Sequence, residues 1–230
     1  MQISTKIITL RGTVFIDRVL PFSINLVKIF QDVLKIPNTT PIILQDIQPV
    51  FVPGQLNQNW GLNENDRNIV EIYGNKIDFF SFGESKNEAA FCECFAEQMN
   101  SLVTELNVKT RRLAFAPTYT IENEDIIKFY ERNLCAPNFK DANMQEFSMN
   151  RVYYKSEDFN GISFNMIYNV NIVLQQGDML GIDKTKNLII MNDINTRDFG
   201  NRFYSKDEVD VFYANVPKRN QELLKFFLGE

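Results

Sequence analysis

The chain has 230 residues, of which 44% are hydrophobic and 23% are charged, a balance typical of a folded globular protein. It contains no histidine, which excludes histidine-based catalytic triads, histidine general bases and histidine metal ligands. A net charge of −5 disfavours binding to nucleic acid or to an anionic membrane through long-range electrostatics.

Cysteine usage and the apolar pattern indicate a cytoplasmic protein. Three cysteines are too few for a disulfide scaffold. Arg11 and Asp17 interrupt the apolar stretches near the N-terminus, so we expect no signal peptide. No run approaches the ~20 apolar residues that cross a bilayer, and we therefore expect no membrane association.

The first half of the sequence predicts a strand, a helix, several strands and a long helix. Apolar residues at helical spacing follow Pro21, and Gly74-Asn75 has the composition of a two-residue hairpin turn. In chain order we expect a strand over 1–13, a helix over 22–34, a strand over 41–47 that becomes irregular at Pro49, strands over 67–73 and 76–82, and a helix over 85–106.

The second half predicts the same order of elements. We expect a strand over 109–119, a helix over 121–134, strands over 147–155 and 162–174, shorter strands over 179–182 and 187–194, and a helix over 205–228. Pro217 falls inside the last helix, where a proline should kink or restart it at a cost of ~3 kcal/mol.

A short signature occurs at the start of both long helices, as Ser85-Lys86-Asn87-Glu88 and Ser205-Lys206-Asp207-Glu208. It has the form of a capping box, in which the Ser and Glu side chains bond to free amides of the first helical turn. With the repeated element order it predicts an internal duplication, with halves at 1–107 and 108–230 in one continuous pseudo-symmetric domain. The predicted fold class is α+β, with duplicated β-α-β(3–4)-α units that form a curved antiparallel sheet with helices on one face.

The predicted strand over 162–174 has two different faces. One face is apolar throughout and the other is neutral and rich in amides, as expected for a sheet with helices packed on one side. The amide-rich side is our candidate interaction face, carried by Asn165, Ile167, Asn169 and Asn171. Neutral amides suit recognition of a protein partner, because they donate and accept hydrogen bonds without a large desolvation cost.

Cationic residues on two other strands extend the candidate face. Arg111 and Arg112 lie on one predicted strand and Arg151 and Lys155 on another, and the two strands could be neighbours. With Tyr119, Tyr153 and Tyr154 nearby, they could form a basic and aromatic surface for nucleic acid. The other interpretation is that they are ordinary strand charges paired with carboxylates.

The order of elements, taken twice, resembles the tandem fold of TATA-box-binding proteins, in which a curved sheet carries helices on its convex side and binds with its concave side. The segments 111–115 (Arg-Arg-Leu-Ala-Phe) and 193–196 (Asp-Ile-Asn-Thr), the second followed by a Phe-rich helix, are also similar to an uncharacterised, sporadically distributed bacterial family. That second resemblance implies a link to mobile or defence loci.

Two patterns could indicate metal or redox sites. Cys92 and Cys94 point about 200° apart on a helix, so we expect one buried and one partly exposed thiol that share no metal. Metal-dependent phosphoryl hydrolysis would need two or three carboxylates that converge from different elements. The candidates are Glu122, Glu124, Asp125, Asp178, Asp183, Asp193 and Asp198. Nothing in the spacing of these carboxylates requires them to converge, and we predict no cofactor or metal.

The sequence therefore predicts a non-catalytic protein-interaction or regulatory subunit, such as an antitoxin, a chaperone-like factor or an accessory component of a bacterial defence system. One alternative is a nucleic-acid-binding protein that uses the sheet face, and another is a metal-dependent phosphoryl hydrolase.

Overall fold

A computed structural model describes residues 3–21, 23–35, 41–44, 48–51, 67–82, 87–121, 147–176, 186–198, 200 and 202–228. These residues form an α+β fold, with a ten-stranded antiparallel sheet and three helices packed on it. The strands are β1 (Thr5–Ile16), β2 (Pro41–Leu44), β3 (Gln48–Phe51), β4 (Arg67–Tyr73), β5 (Lys76–Phe82), β6 (Thr110–Phe115), β7 (Thr118–Ile121), β8 (Phe147–Phe159), β9 (Ile162–Gln176) and β10 (Lys186–Thr196). The helices are α1 (Ile24–Leu34), α2 (Glu88–Glu105) and α3 (Lys206–Leu228). The predicted fold class is confirmed in its α+β and antiparallel character.

The strands are ordered β2-β3-β4-β5-β1-β6-β10-β9-β8. β7 follows β6 along the chain and, like β6, pairs with β1 on one side and with β10 on the other. The single strand predicted over 109–119 is thus two strands, divided at Ala116 and Pro117. Proline has no N–H for the ladder, which explains the break. Ala116 and Arg11 still exchange backbone hydrogen bonds of 3.2 and 2.7 Å, so the pairing to β1 continues through it.

The strand that opens each predicted half lies in the middle of the sheet. β1 lies beside β5, the last strand of the first half, and β6 and β7 lie beside β10, the last strand of the second. Because β1 also pairs with β6 and β7, residues on both sides of the predicted boundary belong to one sheet. The internal duplication and the two-half division themselves stay predictions.

Hairpin signals predicted some strand limits and missed one strand. β4 and β5 have the predicted limits, and Gly74 in the turn between them has φ 59°, which favours glycine. The expected irregular end at Pro49 is wrong, because β3 contains that proline. Pro49 pairs with Ile43 of β2, whereas the pairing of β3 with β4 involves only Val50 and Phe51. Proline has no backbone N–H, and the sheet tolerates Pro49 because β3 has only one partner strand at that position.

The core lies between the sheet and α2 and α3, and α1 packs against α2. Phe95 of α2 is at its centre, with ring centroids 4.7 Å from Tyr213 and 5.2 Å from Phe79. The Phe95 ring lies directly over Gly12 of β1, where a Cβ atom would be 2.9 Å from three ring carbons. Glycine at this position therefore lets the helix approach the sheet.

The two predicted capping boxes have different outcomes. At α3 the box is confirmed, since Ser205 Oγ accepts from the Glu208 amide at 3.3 Å and Glu208 Oε2 accepts from the Ser205 amide at 2.8 Å. The α2 box is wrong, because Asn87 caps that helix with its Oδ1 accepting from the amides of Ala89 and Ala90. Ser85 lies outside the described residues.

The last helix runs without interruption through Pro217, which is buried, so the predicted restart is wrong. The helix predicted over 121–134 and the strand predicted over 179–182 lie outside the described residues, apart from Ile121, which ends β7. Within the described ranges, no helix combines the length and the apolar character needed to cross a membrane.

Candidate functional site

The sheet has one face that carries the described helices and one that does not. On β9 the buried side chains Phe164, Met166, Val170 and Ile172 belong to the cores beneath α2 and α3. Their neighbours along the strand point to the other side, as the two-residue period of a strand requires. We call that side the helix-free face; its residues on β9 are Asn165, Ile167, Asn169, Asn171 and Val173. The predicted contrast between the two sides of this strand is confirmed.

A central row of side chains crosses the helix-free face from strand to strand. Directly opposite residues run from β8 to β4 in the order Tyr154, Ile167, Asn195, Ala114, Thr13, Asp78 and Glu71. The middle of the row is almost inaccessible to solvent, with Asn195 5%, Thr13 3% and Asp78 1% exposed. These buried groups bond to their neighbours: Thr13 Oγ1 donates to Asp78 Oδ1 at 2.5 Å, and Lys76 lies 2.6 Å from Asp78 Oδ2.

Arginines stacked on aromatic rings lie beside the central row. The Arg112 guanidinium is 4.6 Å from the centroid of Phe15, and it donates to Asn195 Oδ1 at 2.7 Å. Arg11 lies 6.0 Å from the Phe80 ring on the other side of the row. Farther along the face, Arg197 lies 5.0 Å from the Tyr154 ring. The face thus combines an amide-rich zone on β8–β10 with an arginine and aromatic zone centred on β1, β5 and β6.

Two carboxylates face each other across β4 and β5. Glu71 lies directly opposite Asp78. Burial raises the pKa of Glu71, the Asp78 charge raises it further, and Lys76 and Arg11 lower it. Because Asp78 is already bonded to Thr13 and Lys76, we interpret the pair as a closed ionic network.

Four shielded polar atoms on the helix-free face have no hydrogen-bond partner within the described part of the chain. They are Arg11 Nε, Thr120 Oγ1, Asn169 Oδ1 and Asn171 Oδ1. Asn169 lies opposite Asp193 and Val152, and Asn171 lies opposite Met191 and Asn150. None of these directly opposite side chains donates a hydrogen bond to either oxygen. Other shielded atoms of this kind lie elsewhere, at Gln98 Oε1, Arg111 Nε and Asn192 Oδ1. The two amide oxygens of Asn169 and Asn171, on the same face of one strand, make the helix-free face the candidate site.

The structure brings together only part of the predicted interaction face. Asn165, Ile167, Asn169 and Asn171 share the helix-free face with Arg112. Arg111 and Arg151 point to the opposite side: Arg111 donates to the Gly200 carbonyl at 2.8 Å, and Arg151 lies 6.0 Å from the Phe227 ring of α3.

The two cationic strands, β6 and β8, are not neighbours as the sequence suggested, because β10 and β9 lie between them. The expected aromatic partners are also divided. Tyr119 is buried on the helix side, Tyr153 lies near Phe227 at 6.4 Å between ring centroids, and only Tyr154 is on the helix-free face.

Residues of β1 and β5 that belong to the face were missed by the sequence analysis. Arg11, Thr13 and Phe15 alternate with buried Leu10 and Val14, and Phe80 alternates with Phe79. This two-residue period is visible in the sequence, but only the strand order shows that these side chains lie beside Arg112 and Asn195.

A buried polar cluster lies on the helix side, at the start of α2. Glu88, 6% exposed, accepts from the Tyr119 hydroxyl at 2.6 Å, from Asn220 Nδ2 at 2.8 Å and from Gln221 Nε2 at 2.5 Å. Asn192 Nδ2 extends the cluster by donating to Asn220 Oδ1 at 2.8 Å. Burial raises the pKa of Glu88, and the three hydrogen bonds oppose that rise. The cluster ties α2, α3, β7 and β10 together.

The predicted burial of the two helix cysteines is confirmed. Cys92 is fully buried and Cys94 is partly exposed. Burial raises the pKa of Cys94 to about 11 and that of Cys92 well above its usual value, so both thiols are poor nucleophiles.

Most of the predicted carboxylates (Glu122, Glu124, Asp125, Asp178 and Asp183) lie outside the described residues. Asp193 is on the helix-free face, and Asp198 accepts from the Gly200 amide at 2.8 Å. No group of three or more cysteines and carboxylates able to hold a metal is found where the structure describes the chain.

No family model, curated protein or solved structure matches the chain. The resemblances in element order and in short segments stay predictions.

Proposed function

We propose that the chain is a non-catalytic protein-interaction subunit that binds an extended segment of a partner protein on its helix-free face. The observation that supports this is the set of shielded, unsatisfied polar atoms on that face. A buried polar atom without a partner costs about 1–3 kcal/mol. A bound segment that supplies the missing hydrogen bonds recovers this free energy on association.

The amide-rich zone favours an extended polypeptide as the occupant. Asn169 and Asn171 are two residues apart on one strand, which places them about 6.6 Å from each other. Alternate residues of an extended peptide have the same spacing. Because both Oδ1 atoms are shielded from solvent, the two side chains would have to turn outward before successive donors of a peptide lying along β9 could reach them. The helix-free residues of β9 carry no charge, so their desolvation by a peptide costs little. Antitoxin, chaperone-like and defence-accessory roles are specific forms of this proposal.

Replacing Asn169 and Asn171 together by leucine should separate binding from folding. We expect the free energy of unfolding to rise by roughly 1–2 kcal/mol, because two unsatisfied acceptors are removed with little change in volume. We expect the same variant to lose the stoichiometric partner that the wild-type chain captures from its native host. Denaturant unfolding and affinity capture are the two measurements.

The matched control is Arg151→Ala, which changes an exposed residue on the helix side and should retain the partner. A leucine pair that is less stable than the wild type and still captures the partner would show that the two amides serve folding only.

A second candidate function is the binding of single-stranded nucleic acid, supported by the three arginine–aromatic pairs on the helix-free face. Bases stack on aromatic rings and on guanidinium planes, while the cations neutralise phosphates. The overall charge of −5 opposes such binding at physiological salt.

For nucleic-acid binding, the double variant Arg11→Ala and Arg112→Ala is the informative change. It should weaken binding of single-stranded DNA or RNA, and lower the slope of log K against log salt by about 0.7 for each phosphate that the chain no longer neutralises. Arg151→Ala should leave both quantities unchanged. Fluorescence anisotropy at low salt measures them, and no binding by the wild-type chain would eliminate this function.

A further inference from the structure

Five arginines in the described part of the chain are partly buried, and they differ in whether a carboxylate neutralises them. The three on the helix side each form an ion pair, Arg111 with Asp198 at 3.8 Å, Arg202 with Glu208 at 2.9 Å and Arg219 with Glu157 at 3.0 Å. The two on the helix-free face, Arg11 and Arg112, form no ion pair with any described residue. A partly buried cation without a counter-ion is costly, so the helix-free face has an unmet demand for negative charge.

Stacking on Phe15 and two hydrogen bonds orient the Arg112 guanidinium. Its Nε donates to the Thr196 carbonyl at 3.0 Å and its Nη2 donates to Asn195 Oδ1 at 2.7 Å. Both acceptors are uncharged, and three of the five N–H groups of a guanidinium remain, on Nη1 and Nη2. Neighbouring N–H groups on these two nitrogens match the two oxygens of a carboxylate. Arg112 is therefore an oriented cation that a carboxylate can bind through two parallel hydrogen bonds.

Arg112 lies beside the amide-rich zone of the same face. Asn195, which accepts its hydrogen bond, is directly opposite Ile167 of β9. Ile167 is two residues, about 6.6 Å, from the nearer amide of the pair that supports peptide binding. On its other side Ile167 is opposite Tyr154 of β8, whose ring lies 5.0 Å from the Arg197 guanidinium. Cations thus flank the position next to the amide pair.

We infer that the partner segment is acidic and that Arg112 binds a carboxylate of the segment residue that lies over Ile167. The inference rests on the proposed function, because it names the chemistry of the segment that binds there. Charge complementarity selects this occupant: the face holds a partly buried, oriented cation that no described carboxylate pairs with, and the helix-free residues of β9 beside it carry no charge that would repel an anion.

The carboxylates around Arg112 favour an acidic peptide over a nucleic acid. Asp193 lies on the same face opposite Asn169, and Glu71 and Asp78 lie in the central row. A polynucleotide carries a phosphate at every nucleotide, so it would meet these anions as well as the cation. An extended peptide can present one carboxylate to Arg112 and neutral residues elsewhere. The net charge of −5 likewise opposes a polyanion more strongly than a segment with few carboxylates.

Selection from a phage-displayed library of random linear peptides tests the inference. The wild-type chain should enrich peptides that carry Asp or Glu at one position. The same selection on Arg112→Gln should lose that enrichment, because glutamine keeps N–H donors but has no positive charge. Arg151→Gln makes the same change at an exposed position of the helix side and should enrich the same peptides as the wild type.

A double-mutant cycle between Arg112 and a selected peptide measures the pairing itself. Fluorescence anisotropy should show that the peptide with its acidic residue changed to the amide binds the wild-type chain about tenfold or more weakly than the acidic peptide. Arg112→Gln should bind both peptides equally. Arg112→Lys keeps the charge but not the paired N–H groups, and should retain part of the preference. Denaturant unfolding shows whether each variant is folded, and the comparison of the two peptides on the wild-type chain needs no variant.

Selected peptides without acidic residues, or equal affinity of the acidic and amide peptides for the wild-type chain, would overturn the inference and leave peptide binding intact. A library that yields no bound peptide would overturn the proposed function and this inference with it. Single-stranded oligothymidine that binds more tightly than the acidic peptide at the same salt concentration, and no longer binds Arg112→Gln, would assign Arg112 to nucleic acid and contradict the inference.

Discussion

Replacing Phe95 by alanine should lower the free energy of unfolding by about 4 kcal/mol. The side chain is 1% exposed and packs against Phe79, Phe91 and Tyr213, so its removal leaves a cavity that fixed neighbours cannot fill. Denaturant unfolding monitored by circular dichroism measures the loss. A loss below ~1 kcal/mol would mean that the sheet and α2 are not packed through this ring.

Gly12 provides the complementary test of the same packing. A Cβ at this position would lie 2.9 Å from three carbons of the Phe95 ring, so Gly12→Ala should cost about 1–3 kcal/mol. The cost should shrink when Phe95 is leucine, because the smaller side chain leaves room for the added methyl. Additive effects of Gly12→Ala and Phe95→Leu in a double-mutant cycle would contradict the packing of α2 over β1.

Glu88→Ala should have the second large effect, a loss of about 3 kcal/mol. The Tyr119 hydroxyl would be left without its acceptor in a buried site, and Asn220 Nδ2 would keep the Tyr119 oxygen as its acceptor but lose Glu88. Each unsatisfied group costs about 1–3 kcal/mol. Glu93→Ala, an exposed position on the same helix, should change stability by less than ~0.5 kcal/mol. Equal effects of the two substitutions in denaturant unfolding would show that the buried cluster contributes nothing to stability.

The same carboxyl group should make stability depend on pH. Burial raises the pKa of Glu88 above its ordinary value of 4.5, so the folded chain holds this proton more tightly than the unfolded chain. The resulting stabilisation is complete below pH 4.5 and is lost as the pH rises through the folded-state pKa. Glu88→Gln cannot titrate, so its free energy of unfolding relative to the wild type should increase with pH across that window. A constant difference would mean that the pKa is not raised.

Periodicity within one element predicted more of this structure than any longer-range signal. The alternation along β9 predicted both the buried and the amide-rich side of the sheet, and the Ser205–Glu208 spacing predicted a cap that the structure contains. Both depend only on residues close in sequence. The Ser85–Glu88 spacing is the same, yet Asn87 caps α2 and Glu88 is buried beside Tyr119, because packing against α3 and β7 competes with the local cap.

The parts of the site that could not be predicted depend on which strands are neighbours. Arg111 and Arg112 are adjacent in sequence and therefore point to opposite sides, a fact that the period of a strand already implies. The approach of Arg112 to Phe15 and Asn195, by contrast, results from the placement of β6 between β1 and β10. Nothing local in the sequence encodes that order, so the arginine and aromatic zone is visible only in the fold.

Site-specific photo-cross-linking in the native host tests the proposed binding face most directly. Met191 lies on the helix-free face between Asn171 and Thr118 and is 36% exposed, so a photo-reactive residue there samples the surface without disturbing the core. A photo-reactive residue at Lys218, exposed on α3, is the control for the opposite side. We expect one protein to be cross-linked at 191 and not at 218. Partner binding by the helix-free face would be contradicted if a partner protein were cross-linked at 218 and not at 191. It would also be contradicted if no protein were cross-linked at either position.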